Sequence, residues 1–456
     1  MRYTTVIIGA GPAGLSAAYE LVRQGVQPVL LEQADKVGGI ARTEVYKGYR
    51  FDIGGHRFFS RDQGVQQVWQ QMLGPDFLKV PRLSRISYDG RLLHYPLEFS
   101  NALSNLGILE STKIVLSYLK ARFWPHREEK TFEQWVTNRL GRRLYESFFR
   151  PYTEKVWGIP CTEIEADWAA QRIQGLSLRT ALANALFGTG AADTLISEFQ
   201  YPVLGPGMMW ERFREVVESL GAEVRLRTKV VQLEMQRHRV ETVVARHDQN
   251  EVEIAGEQYI SSMPLNELLA AISPPPPEDV LEAARRLRYR AFVLVGLIID
   301  RADLFPDHWI YVHNPDVRVG RLQNFKNWSA AMVPDQGKTS LGLEYFCDEG
   351  DEIWAMPDQQ LIDLAAAELV RLGLVDSGEV VGGVVFRQPK AYPVYDRGYR
   401  ERLEVIQRFL ATVDNLQTIG RSGTHRYNNM DHSMLSGMAA ARKLLVKATD
   451  LAPGSN

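Results

Sequence analysis

Apolar positions change their spacing several times along this chain, and each change marks a new element. Residues 4–8, TTVII, form a short continuous apolar run, the pattern of a strand buried on both faces. After the polar-free turn GAGPAG, the stretch LSAAYELVRQG carries apolar residues at helical spacing and stops at Gly25. VQPVLLEQ then returns to a strand, which completes one parallel βαβ unit. Between 100 and 190 strand patterns disappear. NALSNLGILESTKIVLSYLKARF, TFEQWVTNRLGRRLYESFFRPYTEKVWG and DWAAQRIQGLSLRTALANALFG are rich in helix formers, so this region is predicted to be mostly helical. Within it, residues 113–130 mix basic and aromatic positions and are predicted to form a face of the helical region rather than a membrane contact.

From 200 to 275 the α/β pattern returns, with MMWERFREVVESLG as helix and AEVRLRTKVVQLEMQ and RVETVVARH as strands. Four prolines at 274–277 mark a linker. Residues 290–390 hold the strand candidates RAFVLVGLIID, WIYVHN and TSLGLEYF, and NLQTIG supplies a last strand. There are no internal repeats. The chain leaves an α/β unit twice and twice comes back to it.

Composition narrows the function classes. The 456 residues are 45% hydrophobic and 24% charged, the profile of a globular protein with a large core. A net charge of −2 shows no basic excess, so no nucleic-acid partner is expected. The two cysteines, Cys161 and Cys347, stand in no CxxC pattern, and the nine histidines show no metal-ligand spacing, so no metal is expected. The N-terminus enters a strand without a signal-peptide pattern, and no apolar run reaches ~18 residues. A cytoplasmic location without an integral membrane segment is therefore expected.

GAGPAG places Gly9, Gly11 and Gly14 as GxGxxG between a strand and a helix. The first glycine permits a tight turn, the second lets backbone approach a pyrophosphate, and the third lets helix pack on strand. Glu32 ends the next strand, where a carboxylate can accept from ribose hydroxyls. These features predict dinucleotide binding, by NAD or FAD. The following EQADKVGGIART, with Gly38, Gly39 and Arg42, resembles the extended signature of the glutathione-reductase-type flavoproteins, which implies FAD. In such proteins TKVVQLE supplies backbone near the adenine, which points to Val230.

FDIGGHRFFS, with Gly54, Gly55 and His56, resembles the flavin-contacting loop of the UDP-galactopyranose mutases. The likeness continues through LYESFFRPYTEKVWGIP, ADWAAQRI, FQYPVLGPGMMWERF, VGRLQNFKNWS and GRSGTHRYNNMDHSM, across nearly the whole chain. It implies an α/β fold: a discontinuous Rossmann-type FAD-binding domain (1–95, 200–275 and 390–456), an inserted helical domain (96–199), and an inserted antiparallel β-sheet-rich substrate domain (276–389). It implies an FAD-dependent nucleotide-sugar pyranose/furanose mutase. Reduced-flavin N5 is then the nucleophile on the anomeric carbon, the reaction is redox-neutral, and NAD(P)H is a candidate reductant. Residue by residue, Tyr152 and Trp157 would meet the sugar, or serve as core aromatics. Arg172 and Arg321 would clamp the diphosphate with Tyr427 as a further donor, His56 and Asn429 would complete the catalytic set, and Arg421, Met430 and Asp431 would hold FAD.

Three positions depart from the family pattern. DTLISEF carries Leu195 where bacterial mutases have a uracil-stacking tyrosine, Asn429 stands where bacterial mutases have an acid and eukaryotic ones an asparagine, and Leu343 stands where a tyrosine is expected. The nucleobase and sugar pockets are therefore expected to differ. The resemblance leaves room for a homodimer. Its runner-up is an FAD-dependent oxidoreductase of the amine oxidase and protoporphyrinogen oxidase type, which shares the opening motif and architecture.

Overall fold

The computed structural model describes residues 2–95, 108–172 and 197–450, with backbone alone at Ile108, Gln171, Arg172 and 447–450. Parts of the predicted helical region, Leu195 among them, lie outside the described residues. Two sheets organise the rest.

In the first sheet, Arg2–Ile8 lies between Val29–Leu31 and Asn250–Ser261 and runs parallel to both. Val6 and Ile7 are fully buried, as the apolar run requires. Glu223–Arg225 extends the sheet beyond Val29–Leu31, and Leu416–Thr418 pairs in parallel with the end of Asn250–Ser261. On the other side Asn250–Ser261, Arg239–His247 and Thr228–Gln236 form an antiparallel meander edged by Ile272–Ser273. The single strand predicted for AEVRLRTKVVQLEMQ is therefore two. Arg227, at φ +51°, turns the chain between them, an uncommon left-handed conformation for a residue with a side chain. Its N–H donates to Ala34 O at 2.8 Å and that of Thr228 to Glu32 O at 2.7 Å, which fixes the turn beside Glu32.

One face of this sheet carries the N-terminal helix Pro12–Val22 against the C-terminal helix Met430–Asp450. Their approach leaves no room for a side chain at Gly437, where a Cβ would sit 2.0 Å from Ala13 O; Gly14 packs instead on the glycine turn, where a Cβ would sit 1.9 Å from Gly9 O.

The second sheet has the order Val380–Pro393, Tyr289–Ile299, Thr339–Cys347, Arg321–Asn324, Trp309–Val312, Ser84–Tyr88, Arg91–His94. It is antiparallel except where Trp309–Val312 meets Ser84–Tyr88. Tyr289–Ile299 alternates its side chains between two cores: Val293, Val295 and Leu297 pack with Leu361 and Leu369 of the helix Asp358–Arg371, and Phe292, Leu294 and Ile298 pack with Phe51 and Phe325. Two expected boundaries are corrected here. Residues 84–94 join the second sheet, because Ile86 and Leu93 bury with Phe132, Trp135 and Phe148 of the helical region. Val380–Pro393 runs unbroken across the expected boundary at 389.

The described helical region comprises Ile108–Phe123, Phe132–Leu140, Arg150–Trp157 and Ala166–Arg172, with short helical turns between. Thr131 and Gln134 form a reciprocal capping box at the second helix. Of the first, Ile114 and Ala121 turn inward while Leu116 and Phe123 are exposed, as is Trp124 just beyond its end. Lys155 ties the helix Arg150–Trp157 to the second sheet. Its Nζ lies 2.8–3.2 Å from the carbonyls of Val312, Asn314, Val317 and Val319. Among the described residues no helix is long and apolar enough to cross a membrane.

The helix contact at Gly437 gives a direct test. Gly437→Val forces side-chain atoms into the backbone of Pro12–Val22 and is expected to cost about 1–3 kcal/mol in denaturant unfolding. An unchanged midpoint would show that the two helices do not need this approach.

Candidate functional site

A cavity of about 640 Å³ opens at the carboxyl ends of the parallel strands, lined there by Ile8, Leu31 and Ser262. This is where α/β sheets place their ligands. The second sheet contributes Trp309, Arg321 and Gln323 to the opposite wall. The predicted cofactor residues Gly9, Gly11, Glu32, Gly39 and Arg42 line one part, with Val230 beside them at a bulge in its strand. Gly55, His56, Arg421 and Met430 line the remainder. Gly14 and Asp431 do not reach the wall. Gly14 packs against the Gly9 turn, and the Asp431 carboxylate lies 3.2 Å from the His432 ring in the first turn of the C-terminal helix. Of the predicted substrate residues, Arg321, Tyr427 and Asn429 line the cavity, and Tyr152 and Trp157 lie behind it. The Arg172 side chain is outside the described residues.

Glu32 accepts from the backbone N–H of Ala10 at 2.7 Å and of Ala34 at 2.9 Å, so it ties the glycine turn to the second strand. Burial pushes its pKa up, and the two N–H groups oppose that rise. Its other lone pairs remain available to a ribose. Arg42 is a strut. It donates to Glu44 at 2.6 Å, to Gly39 O at 2.8 Å and to Gln388 at 2.8 Å, which connects the paired glycines to the second sheet. Glu44 also takes Lys36 at 2.6 Å.

His56 sits where the two sheets face each other. Its Nε2 is 2.9 Å from Ile53 O, which assigns the proton to that nitrogen and leaves Nδ1 as an acceptor. Burial, with smaller contributions from the Arg421 and Arg321 charges, pushes its pKa down to about 4. The imidazole is neutral at pH 7.

Tyr427 stacks on Tyr392 with ring centroids 5.7 Å apart and planes within 10°. The Arg421 guanidinium covers both rings, 4.7 Å from Tyr427 and 5.4 Å from Tyr392, and donates to Ala391 O and Asn428 O. Trp157 meets the stack edge-on. Burial pushes the Tyr392 phenol up to about 12, so it stays a neutral donor. Tyr152 stacks on His313 at 4.4 Å and reaches the cavity through an edge contact with Tyr311.

Arg321 is not the bare cation that a diphosphate clamp implies. It lies directly opposite Glu344 on the adjacent strand and donates to it from Nε at 3.0 Å and Nη2 at 2.5 Å. Glu344 is fully buried and also accepts from Gln323 Nε2. Burial alone would lower the Arg321 pKa, and Glu344 outweighs it and raises the pKa well above the ordinary value. Gln323 Oε1 is buried without a hydrogen-bond partner beside Gly55. Leu343 is fully buried in the core and lines no part of the cavity.

Sequence reasoning missed Gln323, Glu344, Tyr392, Trp309 and Arg57. Gln323 had a signal, since it is two residues from Arg321 and a strand repeats its faces every two. Glu344 had none, because strand register is invisible before the fold is known.

Desolvated, neutral histidines set a pH limit, His313 as well as His56 and His425. His425 is fully buried, and burial pushes its pKa from 6.5 down to about 4, as for His56. The unfolded chain binds the proton more readily, so this stability is complete above about pH 6.5 and is lost as pH falls toward 4. The loss is on the order of 3 kcal/mol for His425. In denaturant titrations at pH 7 and pH 4.5, His425→Phe is expected to lose less stability than the native chain; equal losses would contradict it.

Comparison with known proteins identifies the family and the fold. The sequence profile described as "Flavin containing amine oxidoreductase" matches residues 12–445. A probable UDP-galactopyranose mutase of Klebsiella pneumoniae is 25% identical over 174 residues, 35% of this chain and 42% of that one. An L-amino-acid oxidase of Crotalus adamanteus is 42% identical over 62 residues, 14% of this chain and 12% of that one. Both matches span less than half of the relative's length. Among solved structures, a reduced UDP-galactopyranose mutase superposes with a TM-score of 0.86 at 23% identity, covering 98% of this chain and 95% of that one. A putative protoporphyrinogen oxidase from Exiguobacterium sp. 255-15 gives 0.74 at 17% identity, with coverage of 97% and 98%. At these identities the likeness is one of fold. With residues 12–445, most of the chain, matched by that profile, the chain belongs to the flavin-containing amine oxidoreductase family.

Proposed function

We propose that this protein is an FAD-dependent nucleotide-sugar pyranose/furanose mutase, similar to the UDP-galactopyranose mutases. FAD is the cofactor of the family, and the residues present fit it. The turn at Gly9 and Gly11 offers backbone without side chains, Glu32 offers acceptors, and Gln323 Oε1 is a buried acceptor still lacking a partner. Gly9, Gly11, Glu32, Gly39 and Val230 would hold its nucleotide half, and Gly55, His56, Arg421 and Met430 its ring. When bound and reduced, the flavin supplies the nucleophile.

The chain's own residues have separable roles. Tyr427 offers a hydroxyl to the diphosphate, and Arg421 fixes the plane of its ring. Asn429 is a neutral polar group on the same wall. Neutral His56 offers an acceptor at Nδ1. Tyr392, Trp157 and Tyr152 make an apolar backing that excludes water. One observation carries the reading: a single cavity joins the dinucleotide turn at Gly9–Gly11 to His56, Arg321, Tyr427 and Asn429. The fold-level likeness to a mutase supports it. The proposal includes the three-part domain division with the corrected boundaries, Asp431 on the cofactor side, Arg172 in the diphosphate clamp, a cytoplasmic location and NAD(P)H as reductant. It leaves a homodimer open.

The second reading, an FAD-dependent oxidoreductase, is favoured by the Arg321–Glu344 pair, because a compensated arginine serves an uncharged substrate as well as a charged one. Turnover separates the two. Protein reduced with dithionite or NAD(P)H is expected to isomerise a nucleotide sugar, read by chromatography, without stoichiometric oxygen uptake. Oxygen uptake equal to substrate consumed would establish the oxidoreductase instead. Tyr427→Phe is expected to weaken nucleotide-sugar binding about 10- to 100-fold, the worth of a hydrogen bond to a charged group, with FAD content unchanged. Unaltered binding would remove Tyr427 from the substrate site.

A further inference from the structure

The cations around the cavity differ in how their charge is met. Lys36 and Arg42 share Glu44, Arg321 has Glu344, and Lys390 has Glu267. Arg421 is held by two carbonyls and two tyrosine rings. Arg57 differs. It follows His56 directly and lines the cavity, yet it has no hydrogen bond and no ion pair among the described residues. Lys229 is likewise unpaired, but it is exposed and lies next to Val230 on the cofactor side.

The surroundings of Arg57 are built for a flat, anionic ligand. Its guanidinium lies 5.9 Å from the centroid of Trp309, and the Arg82 guanidinium lies 5.6 Å from the same ring. Trp309 lines the cavity and is only 5% exposed, and its indole N–H has no partner among the described residues. Tyr311, two residues on, lines the same wall. A buried indole N–H without an acceptor is costly unless a ligand or water completes it. A guanidinium can take a phosphate with two parallel N–H bonds.

We propose that Arg57 and the Trp309 indole N–H form the subsite for the phosphate or diphosphate group of the substrate, beside His56, in place of the Glu344-compensated Arg321. This rests on the nucleotide-sugar reading and adds these two groups to Tyr427 and Arg172 as binders of the anion.

The test uses reduced, FAD-loaded protein, with UDP, dTDP, GDP and inorganic pyrophosphate as probes, read by calorimetry and by quenching of flavin fluorescence. Arg57→Gln is expected to weaken the probes that bind at least 10-fold, with FAD content and unfolding temperature unchanged. Arg57→Lys is expected to recover part of the loss, and Trp309→Phe, which keeps the ring but removes the N–H, to weaken binding several-fold. Full affinity in Arg57→Gln would overturn the subsite and leave the nucleotide-sugar reading standing. Loss of FAD from Arg57→Gln would assign the residue to the cofactor and also overturn the subsite. If the native protein binds none of the four probes, the nucleotide-sugar reading falls, and the subsite with it.

Discussion

The site depends on one close contact, the return of the C-terminal segment onto the first strand, turn and helix. Ile419 N–H donates to Ser261 O at 2.9 Å, and Ser262 N–H donates to Ile8 O at 2.9 Å. Gly420, at φ +72°, lies so near Ala13 that a Cβ would stand 3.0 Å from the alanine's own, and Gly437 lies against the Ala13 backbone. Small residues at these points let the C-terminal helix and the segment before it lie directly on the helix Pro12–Val22. The consequence is chemical. Arg421, Tyr427 and Asn429 then form the wall that faces the glycine turn and His56, so residues more than 350 positions apart share one cavity.

Charge compensation is the second organising feature. Most cationic side chains at the cavity are already engaged, chiefly with buried or half-buried carboxylates. In such pairs each partner's charge offsets the other's, so they add rigidity more than net field. Arg42 and Arg321 therefore read as struts. Arg42 connects the paired glycines to the second sheet, and Arg321 holds Glu344, which in turn holds Gln323 beside Gly55. Ligand charge falls to the groups left over, and Arg57 is the one next to His56.

Much of this was legible in the sequence because it is written locally. The βαβ unit, the glycine turn, Glu32 and the polar segment 418–434 each carry their pattern within a few residues, and all but Gly14 and Asp431 of the predicted cofactor positions line the cavity. What was not legible depends on register and on space. The turn at Arg227 carries no glycine to mark it. The Arg321–Glu344 pair spans two strands whose alignment no spacing reveals. Residues 84–94 read as part of the first unit because they follow it in the chain, while their apolar faces belong to the helical core. Arg57 was hidden beside His56 in FDIGGHRFFS, and what distinguishes it is that no hydrogen bond or ion pair engages it among the described residues.

The central claim is that one cavity holds both the flavin and a nucleotide diphosphate. The most direct measurement is a crystal structure of the reduced, FAD-loaded protein soaked with UDP, dTDP or GDP. Density for the flavin ring near Gly55 and His56, with the diphosphate in the same cavity, is the expected result. A nucleotide bound outside this cavity, or a flavin ring placed away from His56, would contradict it.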